Sequence, residues 1–259
     1  MERVVIIGSG NLAEALAQAV ARSGLKLVQL FARNAQRGKT VAALAGTQWT
    51  SDPAWLAEAD IYLIAVSDRA VAEAAASLPI PAGAVVAHTA GSVPLEALPG
   101  QPVRRAVFYP LQTFTKGREV DFSQIPVFLE TDDEALRPEL EAFARRLSRT
   151  VIWADSACRA KAHLAAVFAC NFVNHLYALG GEILHGTELP FDVLKPLIAE
   201  TAAKAVDSGD PHRVQTGPAV RGDLPTLRRH EAALAHDPRL LRIYESLSQD
   251  IWETSKKTS

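Results

Sequence analysis

The chain has 259 residues, 48% of them hydrophobic and 22% charged, with 27 Lys and Arg against 29 Asp and Glu. That composition suits a soluble globular protein with a substantial core and length enough for two domains. A formal charge of -2 supplies no positive field for nucleic acid or an anionic membrane, so neither is an expected partner.

The first predicted element is a strand at Val4-Val5-Ile6-Ile7, an unbroken β-branched run that reads as buried on both faces. Gly8-Ser9-Gly10 ends it sharply, and a helical pattern runs from Asn11 to Ser23. The spacing Gly8-x-Gly10-x-x-Ala13 is that of a dinucleotide turn. Gly8 permits the tight turn, Gly10 lets a pyrophosphate approach the backbone, and Ala13 keeps helix and strand close. Ser9 and the amides of Asn11 and Leu12 at the helix start are expected to hold the anion, aided by the helix dipole. With a strand this near residue 1 there is no room for a leader sequence, and a cytoplasmic location is expected.

A second strand is predicted over 25–31, and its end decides the cofactor. An acidic residue there holds the ribose of NAD, whereas an Arg accommodates the extra phosphate of NADP. The chain reads Phe31-Ala32-Arg33-Asn34-Ala35-Gln36-Arg37, with no acid. Arg33, helped by Asn34 and Arg37, is therefore the candidate 2′-phosphate site, and NADP is the expected cofactor. S-adenosylmethionine also binds glycine-rich turns, but such sites usually hold ribose with the carboxylate missing here.

A helix over 35–45 and a short strand over 47–50 follow, then Ser51-Asp52-Pro53 as a helix start. Ile61 to Val66 is another buried strand, followed by Ser67-Asp68 and an alanine-rich helix to Leu78; the strand 84–87 runs into His88-Thr89-Ala90-Gly91-Ser92. This alternation indicates an α/β, doubly wound parallel sheet with ligands at the carboxyl ends of its strands. Val66, Ser67, His88 and Ser92 are placed to line the cofactor cleft, with ordinary turn chemistry the alternative for the polar three. Strands over 103–109, 127–129 and 151–153, and a charged helix over 132–148, complete the first predicted domain, 1–153.

From residue 154 to 259 the pattern is all-helical. The stretch from Cys158 to Leu184 is long and apolar enough to be mistaken for a membrane span, but Lys161, His163, Asn171, Asn174 and His175 interrupt it, each costly in lipid. A core helix shared between domains or subunits fits better, and makes Cys158 and Cys170 buried thiols. At about 100° per residue, His163, Val167, Asn171 and Asn174 fall within an arc of about 80°. The polar three either bond to neighbouring helices or face nicotinamide and substrate. Later helices are predicted over 191–208, 224–235 and 239–254. Between the first two, Thr216 or Gly217 can cap a short helix that starts at Pro218, and Arg221 can grip a substrate carboxylate. The scattered His and the two Cys lack metal-ligand spacing, and no metal site is expected.

Taken together, Gly8-Ser9-Gly10-Asn11-Leu12-Ala13, His88-Thr89-Ala90-Gly91-Ser92, Tyr109-Pro110-Leu111-Gln112-Thr113-Phe114, the stretch from His163 to His175 and that from Gln215 to Asp223 resemble a family of NADP oxidoreductases. In that family a Rossmann-like domain precedes a helical domain of uncharacterised function. The chain is more distantly similar to pyrroline-5-carboxylate reductases, deazaflavin-dependent NADP oxidoreductases and the 6-phosphogluconate dehydrogenase-like superfamily. The resemblance implies a homodimer through the helical domain, which closes the active site against the cofactor domain, and names no substrate. The expected reaction is hydride transfer between NADP(H) and a small, anionic carbonyl, imine or hydroxy acid. The catalytic Lys of several distant relatives, one turn before an Asn, is absent, since Val167 precedes Asn171 and Cys170 precedes Asn174. His163 is then the candidate for proton transfer, with Asn171 and Asn174 orienting the substrate and Arg221 holding its anionic group. The alternative is a protein that binds NADP(H) without turnover.

Overall fold

The computed structural model describes residues 1–258. Among the described residues, eight strands form one sheet. β1 (Arg3–Ile7), β2 (Lys26–Phe31), β3 (Gln48–Thr50), β4 (Ile61–Ile64), β5 (Val85–His88), β6 (Arg104–Pro110), β7 (Val127–Thr131) and β8 (Val151–Trp153) lie in the order β3-β2-β1-β4-β5-β6-β7-β8. The order reverses beside β1, which pairs in parallel with both β2 and β4 and so creates the crevice where such sheets bind ligands. The parallel expectation holds except at β7, which runs antiparallel to β6 and parallel to β8.

The β-branched run explains the centre of the sheet. Val4 and Ile6 join one buried cluster, whereas Val5 and Ile7 join another, so successive residues pack opposite faces. Each such buried side chain contributes roughly 1.5–3 kcal/mol. On one face lies α1 (Asn11–Arg22), whose buried Ala13, Leu16, Ala17 and Val20 follow helical spacing. α2 (Ala35–Leu44) and α4 (Arg137–Arg145) add Val41, Leu140 and Phe143 to the same cluster, while α3 (Val71–Ser77) covers the other face with Val71 and Ala75.

By their own packing the residues form two units, Met1–Cys170 and Asn171–Ser259. The first therefore includes α5 (Ser156–Ala166), whose Ala162 packs with Leu95, Val107, Tyr109 and Phe128. The helix continues through a π-helical segment, Val167–Phe172, into α6 (Val173–Ile183). A π segment holds more residues per turn than an α-helix, so the arc drawn for His163, Asn171 and Asn174 fails beyond Val167. The polar stripe is not buried either, because Asn171 and Asn174 are exposed. Cys158 and Cys170, expected as buried thiols, are also exposed.

The second unit contains α6, α7 (Lys195–Asp207), α8 (Pro218–Arg221), α9 (Leu224–Leu234) and α10 (Pro238–Thr258). Gly222 closes α8 at φ +63°, and a Cβ there would touch the Trp252 ring at 3.0 Å. Arg239 of α10 pairs with Glu182 of α6 at 2.5 Å, and His230 of α9 meets the Tyr244 hydroxyl of α10 at 2.9 Å.

Candidate active site

The turn after β1 has the shape that its glycines require. Gly8 sits at φ +131°, where a Cβ would lie 2.1 Å from the Ala65 carbonyl oxygen, and its N–H donates to Phe31 O at 2.8 Å. Gly10 is the N-cap of α1 with no side-chain cap, and a Cβ built on it meets nothing within 4 Å. The first amides of the helix therefore keep free hydrogen-bonding capacity beneath open space, as a phosphate requires. Beside the turn is a cavity of about 400 Å³ lined by Gly8, Ser9, Arg33, Asn34, Val66 and Glu73, among others.

Arg33 is the cation of this cavity. Its side chain is 78% exposed and only loosely paired, with Glu73 at 3.6 Å. Asn34 caps α2 by accepting from the Arg37 N–H at 3.0 Å, which leaves its side-chain amide as a donor. Arg37, expected beside Arg33 at the phosphate, is placed differently. Its guanidinium pairs with the buried Glu14 and donates from Nε to Ser9 O at 3.1 Å, bracing the turn without lining the cavity. Glu14 also accepts from the Gly117 N–H at 3.2 Å, and Asn11 Nδ2 donates to Phe114 O at 3.1 Å, so the segment after β6 is tied to the turn. The only sign of this role in the sequence is an acid among the apolar positions of α1.

Three motifs meet at the carboxyl ends of β5 and β6. The Tyr109 hydroxyl lies 2.9 Å from Nδ1 of His163 on α5, with the rings edge to face at 6.0 Å. Gly91 leaves room for this pair, because a Cβ there would come within 2.6 Å of His163 Nδ1 and 2.8 Å of Tyr109 Cζ. Burial, reinforced by the charge of Asp68 and offset by Arg159, pushes the Tyr109 hydroxyl above its ordinary pKa, so it stays protonated. Ser92, in the exposed part of the same loop, donates to Asp68.

His88 does not face the cleft as expected. It is fully buried, accepts the Ala90 N–H on Nδ1 at 3.2 Å, and leaves Nε2 without a well-formed hydrogen bond among the described residues. Burial first, and then the charge of Arg159, push its pKa down to about 4. Arg159 is itself buried, pairing with Glu130 and donating to Val93 O. Glu130 in turn accepts from Ser156 N–H and Oγ at 2.9 Å, and Ser156 Oγ accepts the Leu95 N–H at 3.1 Å. This buried cluster fixes the loop from Gly91 to Leu95 against α5; a lone Arg in an apolar helix was its only trace in the sequence.

Ser67 is exposed at the start of a short turn beyond β4. Asn171, Asn174 and Arg221 belong to the second unit and are exposed there, Arg221 with no ion pair among the described residues. The Pro218 helix spans only four residues, too short for the anion-receiving dipole expected of it.

Residues 3–91 match the family described as NADP oxidoreductase, coenzyme F420-dependent, and residues 125–251 match a domain of unknown function, DUF2520. A crystal structure from Bacteroides fragilis, provisionally described as an NADP oxidoreductase, is 42% identical with a TM-score of 0.90, covering 97% of this chain and 98% of that one. The fold is also similar to a reductive aminase from Aspergillus terreus in complex with NADPH and ethyl levulinate: 13% identity, TM-score 0.70, 99% and 94% coverage. A 1-pyrroline-5-carboxylate reductase from Streptococcus pyogenes gives 14%, 0.61, and 98% of both chains. No curated protein matches.

Proposed function

The chain belongs to this family of NADP oxidoreductases and is an NADP-dependent enzyme, and we propose that it transfers a hydride between NADP(H) and a small carbonyl, imine or hydroxy acid substrate. The observation that carries the substrate side is the Tyr109–His163 pair at the carboxyl ends of the strands, where a protein group exchanging a proton belongs.

The residues present fit the cofactor. Gly8, Ser9, Gly10, Asn11 and Leu12 hold the pyrophosphate, Arg33 and Asn34 the 2′-phosphate, and Val66 borders the cavity beside them. Bound there, NADPH supplies the hydride. His163 handles the proton through Nε2, which has no hydrogen bond among the described residues because only Nδ1 is engaged. Arg221, exposed in the second unit with no ion pair among the described residues, is the candidate for holding an anionic group. The first unit thus carries the cofactor turn together with the Tyr109–His163 pair, and α7 of the second carries exposed apolar residues suited to self-association.

A second copy is the proposed partner of the helical region. The stretch Ser156–Ile183 is long and apolar enough to cross a membrane, yet only 6% of its most apolar window is buried. Leu197 and Val206 on α7 are 63% and 83% exposed. Apolar area on this scale marks an interface, and the polar residues within the long helix favour a protein partner over lipid. The oxidoreductase fold is accordingly read as a cytoplasmic homodimer. Light scattering tests it: the wild type should run as a dimer in detergent-free buffer, and Val206→Glu with Leu197→Glu as a monomer.

The reaction is tested by NADPH oxidation with pyruvate, ethyl levulinate plus methylamine, and 1-pyrroline-5-carboxylate. His163→Ala should bind NADPH normally and lose turnover by about a hundredfold or more. Wild-type turnover in that variant would remove His163 from the reaction.

A further inference from the structure

The Tyr109 side chain is largely buried, and its O–H is best satisfied by a protein acceptor. Among the described residues it has one hydrogen-bond partner, Nδ1 of His163. The opposite arrangement, with Nδ1–H donating to the phenol oxygen, would leave the tyrosine proton with no acceptor among the described residues. The arrangement that gives the Tyr109 O–H a protein acceptor has Tyr109 donating to Nδ1, which places the imidazole proton on Nε2. Gly91 holds the geometry from a third side, because any side chain at that position would push against both rings.

We propose that Tyr109 is a positioning residue for the proton step: its hydroxyl donates to His163 Nδ1, holds the ring neutral with the proton on Nε2, and resupplies that proton when the reduced substrate takes it. The idea rests on the reading of His163 given above and assigns a role to a residue that reading does not use. The balance is simple. As hydride reaches a carbonyl carbon, the Nε2–H bond breaks and an O–H bond forms on the substrate. The Tyr109 proton moves to Nδ1, so the imidazole remains neutral throughout. The phenolate left behind is recharged by water. A ketone-derived alkoxide is a far stronger base than a phenolate, so the transfer runs downhill even from a hydroxyl that burial has made harder to ionise. The buried Arg159 guanidinium favours the phenolate, which gives its charge a use beyond holding the Gly91 to Leu95 loop.

The test needs no turnover. The full chain, 15N-labelled on histidine and saturated with NADPH, is examined by long-range proton–nitrogen correlation, with His163→Gln assigning the signals. The wild type should show Nε2 of His163 protonated, Nδ1 unprotonated, and Nδ1 displaced in shift by an accepted hydrogen bond. Tyr109→Phe should lose that displacement while its thermal stabilisation by NADPH stays at the wild-type level. A protonated Nδ1 in the wild type, or an unchanged Nδ1 signal in Tyr109→Phe, would overturn the assignment. Because the wild-type spectrum decides by itself, a variant that fails to fold leaves the test intact. A spectrum as expected combined with wild-type turnover in His163→Ala would remove the proposed reaction role, whereas the converse would remove only Tyr109.

Discussion

Replacing Arg159 by Met probes the buried cluster that holds the Gly91 to Leu95 loop. The Arg159 side chain is 1% exposed and that of its partner Glu130 is 15% exposed, so the pair is shielded from water. Removing the arginine leaves Glu130 without its counter-charge, although Ser156 still donates two hydrogen bonds to it. Breaking a buried pair in this way costs about 3–5 kcal/mol. At about 2–4 °C per kcal/mol for a chain of this size, the midpoint should fall by roughly 6–20 °C. Glu130→Gln should cost a similar amount by stranding the guanidinium. The double variant Arg159→Met with Glu130→Gln should be more stable than the sum of the two losses by at least about 2 kcal/mol, because neither charge is left alone. Urea denaturation of the four proteins gives the cycle. Strict additivity, or single losses below about 1 kcal/mol, would refute the argument that a desolvated charge pair fixes this loop.

Arg33→Ala should weaken NADPH by about tenfold, the value of an exposed charge-assisted contact to phosphate, and leave NADH unchanged; calorimetric titration of both checks it. Gly8→Ala places a Cβ 2.1 Å from Ala65 O at a strained φ, so NADPH stabilisation in a thermal melt should disappear and the protein itself should lose several kcal/mol, on the order of 3. Gly91→Ala should retain NADPH binding but separate Tyr109 from His163, abolishing the Nδ1 hydrogen-bond shift. For His88 the folded pKa of about 4 lies below the ordinary 6.5, so the unfolded chain binds more protons between those values. Its contribution, about 3 kcal/mol at most, is complete above pH 6.5 and is lost as pH falls toward 4; urea midpoints across that range should show a slope that His88→Gln flattens.

The dinucleotide half was legible because its signals are local. Four β-branched residues can bury both faces only as a central strand, and Gly8 and Gly10 stand where backbone geometry and close approach exclude side chains. The absence of an acid after β2 named the cofactor for the same reason, since one position decides it. What the sequence could not reveal were pairings across long separations: Arg37 turning from the phosphate to Glu14, His88 buried under Arg159, and Tyr109 meeting His163 from 54 residues away. Helical periodicity also misplaced Asn171 and Asn174, because the π segment changes the angular step without leaving a mark in composition. Backbone pattern determined the elements and the cofactor turn; only the packed sheet, by bringing the ends of β5 and β6 against α5, decided which distant side chains meet.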